Sequence, residues 1–313
     1  MNRRQILLIA NYSARYSVRG GIGLVFLVVS LTFGLMVAHT MLQPVERISR
    51  QVAERMKDRE AAEVTKEVVQ SLTQQAKKVV AWMVSSESSS AKDAASSRRS
   101  DEDAEVWADY LLDSRPGMLS AIFLILLFGW PLVVAFGAFD LYAGDISSRQ
   151  LRYQLLRADR GSIFFGRLFG MLLTFVAVLV LLGVTVTVYM GFKLSVVYSW
   201  SALCGWAAYG TLAMVCVSVP YVALCAWLSA ACGGSFFSLT MASLAIGGVP
   251  LLSLFARMQH EAGGYLLYLL PWGFQMRLFH HDPSQVALAV GGCALQTLLF
   301  TWLGYRKFTT RDL

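Results

Sequence analysis

The chain has 313 residues, of which 56% are hydrophobic and 15% are charged, and its mean hydropathy is +0.54. This composition is too apolar and too weakly charged for an ordinary soluble domain. The formal net charge of +7 would suit nucleic-acid binding, but the basic residues lie beside the apolar stretches and therefore indicate membrane topology.

The N-terminal segment, residues 1–19, is basic and partly apolar. Residues 2–19 are predicted to form an interfacial helix on the cytoplasmic side of the membrane. The apolar run that follows is longer than the ~7–15 residues of a signal-peptide core. We therefore interpret residues 20–42 as a retained transmembrane helix.

Six apolar stretches predict six transmembrane helices. Each is free of Asp, Glu, Lys and Arg, and each reaches the ~20 residues that a helix needs to cross ~30 Å of hydrocarbon. The uncharged stretch between Lys193 and Arg257 is long enough for two helices, with Gly233-Gly234 as the break between them. The predicted spans are residues 20–42, 117–139, 168–191, 201–231, 236–256 and 284–305.

Basic residues in the short flanks predict the orientation of the spans, because cytoplasmic loops are enriched in Lys and Arg. With the N-terminus inside, the two short outer loops contain only Lys193, Arg257 and Arg277. The inner flanks then contain Arg3, Arg4, Arg15, Arg19, Arg149, Arg152, Arg157, Arg160, Arg167, Arg306, Lys307 and Arg311. We therefore expect both termini in the cytoplasm, membrane lipid as a partner, and no nucleic acid.

Residues 43–116 form a long polar insertion between the first two spans. Apolar residues recur every three or four positions from Val64 to Met83, which predicts a helix. A second, shorter helix is predicted from Asp101 to Asp113, and residues 85–100 have the composition of a linker. The insertion is thus predicted to be an extracytoplasmic helical hairpin. It either packs against its symmetry mate or the other outer loop, or it binds an extracytoplasmic protein.

The predicted cytoplasmic loop between the second and third spans, residues 140–167, contains five arginines. Contacts with lipid head groups are one explanation of these charges. The interleaving of arginines with Leu and Tyr favours a second explanation, a short helix packed on another protein. The interleaved residues are Arg149, Leu151, Arg152, Tyr153, Leu155, Leu156, Arg157 and Arg160.

The C-terminal part of the chain contains spans three to five (168–256), a segment over residues 257–283, and the sixth span with a basic cytoplasmic tail (284–313). The segment 257–283 is rich in aromatic residues, and we predict an extracytoplasmic re-entrant pair kinked at Pro271. Its His280-His281-Asp282 run has no further Cys or His nearby, so a metal site is not predicted. The five cysteines, an odd number within apolar stretches, predict no disulfide framework.

The loop 140–167 resembles the cytoplasmic loop of ABC transporter permeases of the type 2 exporter family. In that family an acidic residue is followed by a Gly-Thr-Leu-like step, a Leu-Leu pair, a Pro-x-x-Arg turn and a Gly-Lys at the membrane. The matching residues here are Asp145, Leu151, Leu155, Leu156, Arg160, Gly166 and Arg167. The chain departs from this pattern at Ser148-Arg149, where the family often has Gly, and at Ala158, where Pro is common.

Two further stretches carry the same resemblance. "YLLPWGFQMRLF", from Tyr268 to Phe279, is similar to the outer Pro-containing segment before the last span of that family. "YRKFTTRDL" at the C-terminus is similar to its basic tail. The resemblance covers most of the chain except residues 43–116, and it implies an all-α membrane protein with six transmembrane helices in the plasma membrane, the inner membrane of a bacterium.

The resemblance implies that the chain is the permease subunit of an ATP-driven exporter. The chain lacks the G-x-x-x-x-G-K-[S/T] motif, so we expect ATP and Mg²⁺ to be bound by two copies of a separate cytoplasmic ABC ATPase, and we do not expect this chain to be an enzyme itself. A second permease subunit, most simply in a homodimer, is also implied. The loop residues implied to couple to the ATPase are Asp145, Arg149, Leu151, Arg152, Leu155, Leu156, Arg157 and Arg160.

Two other functions remain as alternatives at this point. The same fold could act as a mechanical relay, in which ATP hydrolysis acts through residues 43–116 on an extracytoplasmic partner and no solute is transported. The chain could instead be a membrane enzyme, but the spans offer no acidic pair, Ser-His pair or metal cluster. We therefore predict no catalytic, cofactor-binding or metal-binding residue in this chain.

Overall fold

The computed structural model describes residues 3–19, 22–53, 69–71, 74, 106–194, 197–259 and 261–311. Within these ranges the chain is helical and contains no strand. Among the described residues, six helical segments are long and apolar enough to cross a membrane, which agrees with the predicted number and is consistent with a multi-pass membrane protein. These segments are Gly23–Arg47, Gly117–Ser147, Arg160–Lys193, Trp200–Ala231, Ser235–Gln259 and Pro283–Thr310.

We number the α-helices in chain order. They are α1 (Arg3–Arg19), α2 (Ile22–Ala53), α3 (residues 106–112), α4 (Gly117–Ala138), α5 (Ala143–Ser147), α6 (Gln150–Leu155), α7 (Arg160–Lys193), α8 (Trp200–Ala231), α9 (Ser235–Gln259), α10 (Trp272–Gln275) and α11 (Pro283–Thr310). Two 3₁₀ helices, Glu261–Leu269 and Met276–Phe279, flank α10.

The third span begins earlier than the predicted residue 168. Asp159 has extended backbone angles, and the helix α7 starts at the next residue, Arg160. The charge-free stretch 168–191, which predicted the span, covers only the apolar part of this helix. The helix continues through Arg160 and Arg167 because both side chains find hydrogen-bond acceptors inside the protein. Most of the predicted loop 140–167 is therefore helical.

The predicted hairpin over residues 43–116 falls largely on residues 54–68, 72–73 and 75–105, which lie outside the described residues. Its beginning continues the helix α2 as far as Ala53. Near its end, α3 lies within the second predicted helix. Trp107 and Leu111 of α3 are buried in the same core as the spans, so α3 is part of the membrane bundle's packing.

The helix α8 lies at the centre of the bundle and packs against α4, α7, α9 and α11. The spans α4 and α8 are the most buried, whereas α9 and α11 leave most of their apolar side chains exposed, as helices in contact with lipid do. Trp130 of α4 donates its indole N–H to Ser218 Oγ of α8 at 2.7 Å. This buried hydrogen bond satisfies two polar groups that would otherwise be costly in an apolar environment.

The N-terminal helix α1 packs directly on the first turns of α7. Two glycines of α7 make the close approach possible: a Cβ at Gly166 would lie 2.7 Å from Ile9 Cβ, and one at Gly170 would lie 2.6 Å from the Ala10 carbonyl oxygen. This small-x-x-x-small spacing lets two helix backbones touch. The helix predicted over residues 2–19 is thus present and attached to the third span.

At its other end, α7 is held by α2. His39 Nδ1 is hydrogen bonded to Tyr189 Oη at 2.9 Å, and Lys193 Nζ lies 2.8 Å from a carboxylate oxygen of Glu46. The helix α7 therefore has polar contacts near both of its ends and apolar packing between them.

Candidate functional site

The connection between α4 and α7 consists of a turn, the short helices α5 and α6, and a second turn. Arg149 separates α5 from α6 and has a left-handed backbone with φ of 59°, the only such non-glycine residue that the described ranges contain. This conformation costs an L-residue roughly 1–2 kcal/mol. The strained backbone of Arg149 therefore sets the direction of α6 relative to α5.

Arg167 anchors this connection to the start of α7. Its guanidinium forms a salt bridge with Asp145 of α5 and donates to Gln154 Oε1 of α6 at 2.9 Å. It also donates to the carbonyl oxygen of Leu141 at 3.0 Å. One arginine in the third turn of α7 therefore fixes both short helices and the turn before them.

The helices α8 and α9 hold the same connection from the other side. Ser229 Oγ accepts hydrogen bonds from the backbone N–H groups of Tyr142 and Ala143, both at 2.9 Å, and so satisfies donors at the start of α5. Ser235 donates to Asp140 at 2.6 Å, and Ser238 donates to the Phe139 carbonyl at 2.7 Å. The connection is thus bonded to the end of α8 and the beginning of α9.

Arg160, the first residue of α7, bonds to the C-terminal end of α11. Its Nη1 donates to the carbonyl oxygens of Thr309, at 2.5 Å, and Arg311, at 3.0 Å. Arg311 in turn donates to the carbonyl oxygens of Ala230 and Cys232 at the end of α8, both at 2.8 Å. The start of α7 and the C-terminal ends of α8 and α11 are therefore linked by two guanidinium groups.

The eight loop residues predicted to couple to an ATPase divide into two groups. Four have their main contacts within the chain: Asp145 and Arg160 as described, Leu151 as a fully buried residue, and Leu155 packed at the edge of the core. The other four, Arg149, Arg152, Leu156 and Arg157, are exposed. Contact of any of these residues with an ATPase stays a prediction.

We call the exposed arginine, tyrosine and leucine residues of this stretch the α6 surface: Arg149, Arg152, Tyr153, Leu156 and Arg157. Arg152 and Tyr153 lie within α6, Arg149 directly precedes it, and Leu156 and Arg157 follow it. Tyr153 is 74% exposed and Leu156 is 83% exposed, and no acidic residue occurs from Ser147 to Ala158. The surface therefore suits a partner that offers carboxylates around an apolar depression.

A cleft of about 520 Å³ lies beside the α6 surface. It is bounded by Gln5 of α1 on one side and by residues 155–160 on the other. Leu156 and Arg157 belong to both the cleft and the α6 surface, so a partner that covers the surface would also contact the N-terminal helix.

Several residues of this site were not predicted from the sequence. Arg167, Gln154, Ser229 and Ser235 hold the connection in place, and Arg311 links the end of α11 to the end of α8. None of these five is among the predicted site residues. Arg167 carried a usable signal, because an arginine within an apolar helix needs an internal partner. The two serines offered no such signal in the sequence, since a serine in a helix most often bonds to its own backbone.

The opposite end of the spans carries an aromatic cluster around α3. Trp107 donates its indole N–H to the Phe279 carbonyl at 2.8 Å. The Arg115 guanidinium lies 5.1 Å from the centre of the Tyr110 ring and 5.2 Å from that of Trp206, the arrangement of a cation–π contact. The downstream end of the insertion is thus bonded to the segment 257–283, through Phe279, and packed against α8, through Trp206.

Among the described residues, no three His, Cys, Asp or Glu side chains gather in a way that could hold a metal ion. Comparison with protein-family models and with curated proteins gives no match to this chain. The function is therefore inferred from the chain's own residues and geometry.

Proposed function

We propose that this protein is the membrane-spanning permease subunit of an ABC exporter, in which a separate ATPase binds ATP and Mg²⁺ and drives movement of a substrate across the membrane. The observation that carries the proposal is the α6 surface, a basic and partly apolar surface at one end of six apolar helices. Protein interfaces are enriched in Arg and Tyr, and three arginines flank Tyr153 and Leu156 here.

The attachment of the α6 surface to the bundle supports a mechanical role. The helix α6 is joined to α7 through Arg167, and the neighbouring helix α5 is joined to α8 through Ser229. A force applied to α6 would therefore reach several spans through hydrogen bonds as well as through the chain itself. A surface that served only for lipid attraction would need no such bracing.

The resemblance of the loop to type 2 exporter permeases gives further support. Glycine adopts the left-handed backbone without cost, and the family often has Gly where Ser148 and Arg149 stand. The observed φ of 59° at Arg149 fits that pattern. The proposal includes two ATPase copies, a second permease subunit in a homodimer, and cytoplasmic positions for both termini and the α6 surface in a bacterial inner membrane.

Purification of the tagged chain from its native membranes tests the proposal. We expect an ABC ATPase to co-purify in equal amount and the eluate to hydrolyse ATP in a vanadate-sensitive manner. The double variant Arg152→Glu/Arg157→Glu should lose this ATPase, because it reverses two charges on the α6 surface. Arg306→Glu/Lys307→Glu, with the same change of charge on the exposed end of α11, should keep it.

The proposal fails if no ATP-hydrolysing protein accompanies the chain, or if the Arg152→Glu/Arg157→Glu variant retains the ATPase at the wild-type ratio. The orientation is tested separately by a cysteine placed at the exposed Ser148. A membrane-impermeant maleimide should label this cysteine in broken cells and leave it unlabelled in intact cells.

A second candidate function, the mechanical relay to an extracytoplasmic partner, is favoured by the packing of α3. Trp107 and Leu111 bury this end of the insertion in the core, and Val69 within the insertion is also buried. Two described parts of the insertion, α3 and Val69, therefore pack in the same core as the spans, and motion of the spans would reach them directly.

Deletion within the insertion distinguishes the two functions. The deletion should cover residues 75–105 only, because loss of α3 or of Val69 would also open the core. If the protein is an exporter, substrate efflux should persist in this variant. If it is a relay, ATP hydrolysis should persist while the activity of the extracytoplasmic partner is lost.

A further inference from the structure

Two arginines, Arg160 and Arg311, cap two helices in succession. The last four carbonyl groups of an α-helix lack partners within the helix, and a cation at that end interacts favourably with the helix dipole. Arg160 supplies such a cap to α11 through Thr309, and Arg311 supplies one to α8 through Ala230 and Cys232. The start of α7 is thereby connected to the end of α8 through the C-terminal tail.

We propose that Arg160 and Arg311 are positioning residues that couple the α5–α6 connection to the break between α8 and α9. Displacement of α6 moves the start of α7. Arg160 passes this movement to the end of α11, and Arg311 passes the movement on to Cys232 at the end of α8. This inference deepens the proposed function, since the displacing force is taken to be that of the ATPase on the α6 surface.

The backbone at the break has room to move. A Cβ at Gly234 would meet nothing within 4 Å, and one at Gly233 would meet only Nη2 of Arg311, at 3.7 Å. The Arg311 guanidinium is therefore within van der Waals distance of the open side of Gly233. The two glycines give flexible backbone at the point where the two-arginine linkage ends.

Arginine suits this linkage in a way that lysine does not. The planar guanidinium presents several N–H groups in a fixed arrangement, whereas an ammonium is a point charge on a flexible chain. In each of the two side chains one nitrogen, Nη1, donates to two carbonyl oxygens of a neighbouring helix end. A lysine would keep the charge on a flexible chain without the fixed guanidinium plane, so its attachment to these oxygens should be weaker and less directional.

The thiol of Cys232 provides a native reporter of the linkage. Cys232 is only 5% exposed, and burial raises the pKa of its thiol, while the charge of Arg311 lowers it. Loss of Arg311 would raise the pKa further and so slow the reaction of the thiol with a maleimide, because the thiolate is the reactive form. Faster labelling would therefore report that the helix end has opened.

The experiment measures the rate of N-ethylmaleimide labelling at each cysteine of the full chain in lipid nanodiscs, without an ATPase, by mass spectrometry. We expect Arg311→Gln and Arg160→Gln each to raise the rate at Cys232 at least fivefold. Lys307→Gln removes the same charge from an exposed position four residues before Arg311, and it should stay within twofold of the wild type. The buried Cys225 of α8 serves as the internal reference.

An unchanged rate at Cys232 in Arg160→Gln overturns the linkage, even if Arg311→Gln labels faster, because the signal must pass from one arginine to the next. If Cys225 also reacts faster, the substitution has loosened the whole bundle, and Arg160→Lys is measured instead. Arg160→Lys should accelerate Cys232 alone; acceleration of both cysteines, or of neither, would show that no local linkage exists.

The outcome is separable from that of the proposed function. These rates are measured without an ATPase, so a missing ATPase in the purification would remove the proposed function and leave the linkage standing. Where the ATPase co-purifies, ATP with vanadate should change the Cys232 labelling rate in the wild type and leave it unchanged in Arg160→Gln.

Discussion

Replacement of Arg167 by Gln should release the α5–α6 connection from the third span. The substitution removes the salt bridge to Asp145 and the hydrogen bonds to Gln154 and to the Leu141 carbonyl. It also leaves the Asp145 carboxylate without this counter-charge at a site where it is only 23% exposed. The expected result is local opening of residues 139–159 within an intact bundle.

The size of the effect follows from the burial of the pair. Removal of one partner from a fully buried salt bridge costs about 3–5 kcal/mol. Both side chains are partly accessible here, at 15% and 23%, so water screens part of the interaction, and a local cost of about 2–3 kcal/mol is expected. Because each 1.4 kcal/mol is a factor of ten, the opening equilibrium should rise about 30- to 150-fold.

Hydrogen–deuterium exchange of the full chain in nanodiscs measures this opening directly. Peptides that cover α5 and α6 should exchange faster by that factor in Arg167→Gln, while peptides of α8 stay protected. Arg152→Gln, an exposed arginine of the same connection, is the control. The reasoning is refuted if the acceleration is below about threefold, or if the control shows an equal acceleration.

Three further predictions concern neighbouring contacts. Ser229→Ala leaves two backbone N–H groups at the start of α5 without their acceptor, so the same exchange measurement should show destabilisation of α5 by about 1–3 kcal/mol, with Ser229→Thr retaining part of the protection. Gly170→Leu places a side chain against the Ala10 carbonyl, so α1 should separate from α7 and become sensitive to limited proteolysis, whereas the wild type resists cleavage there. Arg149→Gly removes the strain of the left-handed backbone, so exchange in α6 should slow by up to tenfold; faster exchange would contradict the assigned strain.

The six spans could be predicted from the sequence because the requirement is simple. A helix that crosses hydrocarbon needs about 20 apolar residues, and charge-free runs of that length are easily counted. The start of α7 could not be predicted in this way, because Arg160 and Arg167 interrupt the apolar run. The hydrogen-bond acceptors of these arginines lie on segments distant in sequence; one acceptor of Arg160, for example, is Thr309. No local sequence pattern reveals such pairs.

The interleaving of Arg and Leu predicts a surface for a partner at residues 149–160. Arg152 and Leu156 are exposed, as such a surface requires, and the partner itself stays a prediction. On a helical wheel Leu156 lies among the arginines, which does not suit a simple amphipathic helix. The structure accounts for this position: Leu151 and Leu155, four residues apart, face inward, and Leu156 is the apolar centre of the exposed side.

The length of α7 has a mechanical consequence. Its 34 residues make a rod of about 51 Å at ~1.5 Å per residue, well beyond the ~30 Å of the hydrocarbon layer. Such a rod could act as a lever: a tilt of ~10° about its middle would move each tip by roughly 4 Å. If α2 stays in place, a movement of that size away from it would stretch the 2.8 Å contact between Lys193 and Glu46 beyond the ~4 Å limit of an ion pair, at the end of α7 opposite to Arg167.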